Sequence, residues 1–468
     1  PNADAGVDDY ICVGDIYTVS DASASDYNTL NWTENGAGSI TTGQGTLTPT
    51  YTPAAGDAGT VVTLTLTATG NGPCVDAVDS KILYIDASPS ATVEADQQIC
   101  DLSTATLSGN DAGTDLLNNA RGEWVYSGNL VFHESFRASP DGDMDGRNWN
   151  LDASSLNITA ADDWCEVNNN VFEARDIDGE AVWETEDIDI SASGNVRVSV
   201  SLPSSANLDN PDYIRVFYVL DGGGEILLTN GEHFNDYANE FATASGLSGT
   251  TLKIVIRFFN DGGSEYTRFD DIFIWQDDGT TIPVITNPDD PGTTVSGLNQ
   301  GDNLFDWIVY SEYDGCDPAS ATLNIERDIQ PDAATTGGNQ EECETNSFTL
   351  TGNAATDGGS GLWTVTGGFT GTITDDTNPT TTVTNVNYGT HTFTWTISSA
   401  LGICADTQAS MDITRNEDPA PTIAADAGPH CYLEAVLITG TPNLGVTASS
   451  VDTHTWSGSG AAFLNSRS

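Results

Sequence analysis

Alternate carboxylates form the sharpest chemical pattern in this chain. The run Asp141-Gly-Asp143-Met-Asp145-Gly146 puts oxygen ligands at positions one, three and five of a loop and glycine at six, and Asp152 falls at position twelve. Acids at every second position of a tight loop converge on one point, and an all-oxygen donor set suits a hard cation, so this is a candidate calcium loop. It departs from the helix-flanked type in two ways. Position twelve is Asp rather than the longer Glu, and no helix is expected on either side. An Asp/Gly-rich surface turn would leave the same pattern. A weaker second site is Glu134 with Asp270 and Asp271, which meet if the strands that carry them pair. The cofactor expected is calcium, in a structural role.

No other pattern points to a reaction. The five histidines (His133, His233, His391, His430 and His454) are scattered, and none stands in a His-Glu-x-x-His spacing. There is no Gly-x-Ser-x-Gly and no phosphate-cradling glycine loop. Two neighbouring acids carry little weight in a chain with 69 of them. The expectation is a protein that is not an enzyme and has no catalytic residue. Trp149, Trp164, Tyr237 and Tyr266 could stack on sugar rings, although core packing is the commoner role for such residues.

The cysteines show which elements must carry these groups. Cys12, Cys100, Cys343 and Cys431 are separated by 88, 243 and 88 residues. Setting aside the 149 residues 130–278 reduces the middle interval to 94. The chain then reads as copies of one module with a foreign domain spliced into the second. Copy one runs Cys12, Trp32, alternating Val61–Thr69, Cys74; copy three runs Cys343, Trp363, Phe393-Thr394-Trp395, Cys404. Copies two and three align at Pro291 and Pro379, Val295 and Val383, Gly301 and Gly389, Phe305 and Phe393, and Trp307 and Trp395, always 88 apart.

Within each copy, apolar residues alternate with threonine, as a half-buried antiparallel strand requires. Many short strands and a Cys…Trp…Cys order point to an Ig-like β-sandwich. The expected disulfides lie inside each copy: Cys12–Cys74, Cys100–Cys316 and Cys343–Cys404. The fold class is all-β, with tandem Ig-like (PKD-like) sandwiches and a jelly roll inserted in the second. The domains are residues 1–87, 88–129 with 279–329, the insert 130–278, 330–415, and a partial copy 416–468. The insert opens on Val131–Phe136 and closes on Arg268–Trp275. In a jelly roll these end strands pair, which brings the termini together and permits splicing into a host loop.

Two cysteines remain. Cys431 opens copy four, with Trp456 25 residues on, and that copy reads as half a sandwich. Either the chain is part of a longer one, or another subunit supplies the missing strands. Cys165 has no partner in the insert and reads as a buried free thiol, the alternative being a Cys165–Cys431 bridge.

Thirteen Lys and Arg against 69 Asp and Glu give a formal charge of −56. Nucleic acid and anionic membrane, which require basic patches, are poor partners. No apolar run is long enough for a bilayer, and membrane insertion is not expected. The opening Pro1-Asn-Ala-Asp looks like a mature or excised start. Disulfides and Thr/Gly-rich β-structure argue for an extracellular or cell-surface location. Short linkers with prolines at Pro89, Pro331 and Pro419 should stiffen the array.

The phrase Ala5-Gly-Val-Asp-Asp-Tyr-Ile-Cys12, the Trp-Thr and Trp-Ser pairs, and Pro-x-Thr-Thr-Val…Gly…Phe-x-Trp resemble the PKD-like/Ig-like repeats of large secreted Bacteroidota surface proteins. The resemblance implies type IX export and an adhesin, gliding-motility adhesins included. The insert resembles MAM-like and gingipain-type adhesin jelly rolls at Phe132–Phe136, Asp143–Trp149, Asp212-Tyr213 and Phe269–Ile272. That likeness implies calcium at the Asp-rich turn and the end-strand acids, and adhesion to a glycan or a cell-surface protein. The function expected is a repeat stalk presenting a jelly-roll binding head. The alternative is self-association, as a structural segment of an extracellular filament or sheath joined through the incomplete fourth copy.

Overall fold

A computed structural model of the chain describes residues 1–112, 121–139, 142–144, 146, 148–160, 163–311, 316–417, 422–425 and 438–441. It divides into two compact units, 1–97 with 102–326, and 98–101 with 327–468. The fold is all-β: tandem Ig-like sandwiches with a jelly roll inserted in the second.

In the first unit, copy one lays Asp9–Cys12, Ala77–Asp86, Thr60–Gly70 and Tyr27–Glu34 side by side in that order. The first pair is parallel and the others antiparallel. Tyr17–Thr18, Thr50–Thr52 and Ser39–Thr42 form the second sheet. The alternation read from Thr60–Gly70 sends Val62, Leu64, Leu66 and Ala68 into the core with Trp32, Tyr51, Leu83 and Ile85. The threonines face outward, where Thr65 and Ser80 hydroxyls bond across the strands at 2.9 Å.

Copy two repeats the plan with Ala319–Asp328, Gly301–Tyr310 and Arg121–Tyr126, over Thr104–Thr106, Thr294–Ser296 and Val284–Ile285. Trp124 is in register with Trp307, their rings 5.3 Å apart. In the second unit, copy three orders Gln340–Glu342, Thr407–Arg415, Gly389–Ser398 and Ser360–Thr366 over Phe348–Thr351, Thr380–Thr384 and Thr372–Ile373. Trp363 is in register with Trp395 at 5.1 Å, and copy one has Leu66 opposite Trp32 instead. The second tryptophan needs a bare backbone beside it. A Cβ on Gly122 would meet Trp307 at 2.3 Å, and one on Gly361 would meet Trp395 at 2.1 Å. In copy four, the backbones of Thr422–Ala425 and Ile438–Thr441 pair antiparallel; Cys431 and Trp456 lie outside the described residues.

The insert pairs its first strand, Leu130–Glu134, antiparallel with its last, Thr267–Gln276, from Leu130↔Trp275 to Glu134↔Ile272. Its core packs Phe136, Trp149, Phe172, Trp183, Phe258 and Phe269 mostly edge-to-face or tilted, with Phe172 and Phe269 stacked at 4.9 Å. Such aromatic contacts add to the burial of their area. Cys165 is a buried free thiol in this core, and burial pushes its pKa up.

The cysteine pairing differs from the expected one. Cys12 bonds Cys316, and Cys100 bonds Cys404, with Cα separations of 5.4 and 5.0 Å and a sequence separation of 304 in each case. The expected Cys12–Cys74, Cys100–Cys316 and Cys343–Cys404 bridges do not form; Cys74 and Cys343 are free thiols. Strand register gives the reason. Cys12 sits opposite Asp86, at the far end of Ala77–Asp86, while Cys74 precedes its near end. Nine residue steps at about 3.3 Å place the two ends roughly 30 Å apart, far beyond the reach of a disulfide. Copy three has the same layout: Cys343 follows Glu342, which faces Arg415 at the end of Thr407–Arg415, and Cys404 lies before its start. The opening cysteine of each copy is therefore at one pole and the closing cysteine at the other. The opening cysteine of one copy bonds the closing cysteine of the next.

Candidate functional site

The insert meets copy two through a buried charged seam. Glu123, on strand Arg121–Tyr126 of copy two, is 1% exposed. It accepts bonds from Arg137 Nη1 at 3.0 Å, Ser135 Oγ at 2.7 Å and Tyr310 Oη at 2.6 Å. Burial alone would raise this carboxyl, but the Arg137 and His133 charges and the two hydroxyls outweigh burial and hold it below its ordinary range. Arg137 also reaches Asp271 at 3.2 Å and Asp289 at 2.9 Å. One guanidinium of the insert thus bonds two acids of the host and one of its own last strand, using the fork geometry that suits arginine to buried pairs. Burial and the Asp271 charge push Asp270 well up, and no hydrogen-bond partner meets its Oδ1.

Above this seam lies a groove of about 580 Å³. One wall is the insert sheet, with Arg197, Thr229, Phe241, Thr243, Phe273 and Trp275; the other is Pro283, Val284 and Ile285 of copy two. Phe273 stacks between His133 at 4.3 Å and Trp275 at 4.7 Å. Phe241 is 57% exposed and Val284 64% exposed at its rim. A concave, mostly apolar surface of this volume with a few polar groups is the usual form of a ligand site.

The cation candidates take separate places. Asp141 and Asp145 lie outside the described residues. Gly142, at position two of the run, adopts φ +93°, and Gly142 and Asp143 exchange backbone bonds with Val167. Asp152 is exposed and accepts the Ser154 amide at 3.0 Å in its own turn. Glu134 faces Ile272 and accepts the Phe136 amide at 2.9 Å. Asp271 belongs to the seam. Glu123, His133 and Asp271 could together hold a metal, but Arg137 already bonds both acids and supplies the positive charge there. Of the aromatics, Trp149 and Tyr237 are in the insert core. Trp164 and Tyr266 flank Arg175, whose guanidinium carbon lies 4.8 and 5.3 Å from their ring centres.

Sequence reasoning missed the seam, the groove and a carboxylate cluster at Asp209, Asp212 and Glu265. Burial first, then neighbouring acids, raise Asp212 and Glu265. In a chain of 69 acids no local spacing marks such residues; only the fold brings 212 and 265 together.

The copy joints are built to one pattern. Asp86 ends the last strand of copy one and accepts the Ser311 hydroxyl of copy two, near Cys316. In the second unit Asp328 accepts the amides of Leu401, Ile403 and Cys404 at 3.3, 3.1 and 3.5 Å. Burial would raise Asp328, but the Ser399 hydroxyl and the Ile403, Ile329 and Cys404 amides hold it down at about 2.

No family model matches this chain. No curated protein matches it either. Among solved structures it is similar to titin domains I67–I69, at 10% identity over 87% of this chain and 95% of that one, with a TM-score of 0.33. The ICAM-5 D1–D4 ectodomain fragment gives 7% identity over 90% and 79%, with a TM-score of 0.32. The K3 cleaved adhesin domain of Lys-gingipain from Porphyromonas gingivalis gives 13% identity over 31% and 99%, with a TM-score of 0.21. Overlaps this loose assign neither family nor activity. Among the described residues, no helix is long and apolar enough to cross a membrane.

Proposed function

We propose that this chain is part of an extracellular surface adhesin, without catalytic activity, in which a stapled Ig-like array presents the jelly roll. The observation that carries this reading is the pair of copy-to-copy disulfides. Bridges of this kind persist in an oxidising compartment, and they turn a series of separately folded modules into one covalent ladder that resists extension. The ligand, a glycan or a cell-surface protein, enters the groove between the insert and copy two and rests on Phe273, Trp275 and Phe241. Calcium at Asp141, Asp143, Asp145 and Asp152 would hold the turn at the edge of the insert. Bacteroidota origin, type IX export and a part in gliding are the finer form of the same proposal, and rest on the repeat phrases of the sequence. The test is binding by the whole chain on glycan arrays and on host-cell ectodomains. Saturable binding lost in Phe241→Ala supports the adhesin. Binding that is absent, or unchanged in that variant, removes the groove as the site.

A second reading, a structural segment of a filament or sheath, is favoured by the pairing rule itself. Cys343 is an opening cysteine and Cys74 a closing one, and both are free in a single chain. The rule assigns Cys343 to the closing cysteine of a following module and Cys74 to the opening cysteine of a preceding one, in the same chain or a second copy. Disulfide-linked multimers on non-reducing gels, abolished by Cys74→Ser or Cys343→Ser, would favour this reading; persistence of the multimers in both variants would exclude the ladder as their cause.

A further inference from the structure

The turn before strand Tyr213–Leu220 and the loop before strand Thr267–Gln276 come together at one edge of the insert. Asn207 Nδ2 donates to the Ser264 carbonyl at 2.8 Å, and Ala206 bridges Tyr266. Each loop is closed by its own backbone bond, from Asp212 N to Asp209 O and from Glu265 N to Gly262 O, both 2.9 Å. These bonds bring Asp209, Asp212 and Glu265 to one point, with one carboxylate oxygen of each within 4.8 Å of the others.

Three features distinguish this cluster from a solvated acidic patch. Asp212 is fully buried and Glu265 is 7% exposed. Asp212 Oδ2 accepts the Asp209 amide at 2.8 Å, but its Oδ1, also buried, meets no hydrogen-bond donor. The charges acting most strongly on Asp212 and Glu265 are other carboxylates, Asp209 and Asp261 among them. The Arg137 seam shows how this fold neutralises buried acids where a guanidinium is at hand; no ion pair is formed by these three acids among the described residues. A buried carboxylate oxygen with neither donor nor counter-charge is destabilising. Gly262 fits the same picture. A Cβ there would meet the Glu265 carboxyl at 2.6 Å, so glycine lets that carboxyl lie against the loop backbone.

We propose that Asp209, Asp212 and Glu265 form a cation site that takes calcium and clamps the two loops together. The donors are all oxygen, which selects a hard cation over zinc or copper. Two buried acids and one solvent-exposed acid, all carried by loops, suit the larger, irregular shell of calcium better than the strict octahedron of magnesium. The site is separate from the Asp141–Asp152 loop and does not depend on it.

The experiment is calorimetric titration of the whole chain with calcium alone, for the wild type, Asp209→Asn, Asp212→Asn with Glu265→Gln, and Asp143→Asn. Asp209 is exposed, so its substitution tests the site with the least disturbance of the core. It should weaken one class of calcium site roughly tenfold or more. The buried double variant should lose one calcium per chain and melt higher than the wild type in chelator, because neutral amides relieve the repulsion. Asp143→Asn should leave that calcium in place, which separates failure of this site from failure of the Asp-rich loop. Unchanged stoichiometry and affinity in both Asp209→Asn and the double variant would overturn the proposal. So would a wild type that binds no calcium, or a double variant that melts lower than the wild type in chelator.

Discussion

The Ig-like copies and the insert dispose of buried acid in opposite ways. At the copy joints, Asp86 and Asp328 each accept hydrogen bonds from the next copy, and a disulfide lies beside each. At Asp328 the acid works as a backbone cap and stays ionised, with no cation needed. In the insert, acids are gathered against one another, and a separate positive charge decides the outcome: Arg137 at the seam, and by our proposal calcium at Asp209, Asp212 and Glu265. The lesson is mechanical. The joints gain strength from covalent bonds and backbone geometry, and should be indifferent to calcium. The insert is held by charge pairing, and should respond to it.

The largest effect that would sharpen this contrast is removal of a staple. Each bridge spans 304 residues of sequence, and the loop-entropy model gives about 5 to 6 kcal/mol for a loop of that size. Cys12→Ser with Cys316→Ser should lower the denaturant midpoint of the first unit steeply while leaving the groove intact; a shift no larger than that of a surface substitution would break the contrast. Next comes the seam. Arg137→Met leaves Glu123 buried without its cation, a loss of about 3 to 5 kcal/mol. Hydrogen exchange should then show the insert loosening from copy two while the tryptophan cores keep their protection. Calcium withdrawal follows, with a drop in insert melting temperature and no change in copy three. The smallest effect is at the Asp328 joint. Its carboxyl is lowered to about 2 from 3.8, so its contribution is complete above the ordinary value and is lost as pH falls through the folded one. The Ile403 and Cys404 amides should lose exchange protection between about pH 4 and 2, and Asp328→Asn should abolish that pH dependence.

Much of the fold was legible in the sequence because its signals are local. Val62-Thr-Leu-Thr-Leu-Thr67 encodes one buried face and one threonine face wherever the strand lies. The recurrence of Phe-x-Trp at an offset of 88 shows that copies two and three share a core. The disulfide pairing was not legible. Two cysteines per module at constant spacing fit bonds within copies and bonds between copies equally well, and only strand register shows that Cys12 and Cys74 occupy opposite poles. The seam and the groove were hidden for a related reason. Glu123 is an ordinary residue beside Trp124 until the inserted 149 residues return Asp271 and Arg137 to it. Trp149 and Tyr237 were ambiguous by nature, since an aromatic that fills a core and one that stacks on a sugar are the same residue in sequence.

The most direct test of the account is disulfide mapping of the native, unreduced protein by proteolysis and mass spectrometry. The account predicts cross-linked peptides joining Cys12 to Cys316 and Cys100 to Cys404, with Cys165 as an alkylatable thiol only after unfolding. Peptides joining Cys12 to Cys74 and Cys343 to Cys404 would contradict it, and would reduce the ladder to a string of separately closed modules.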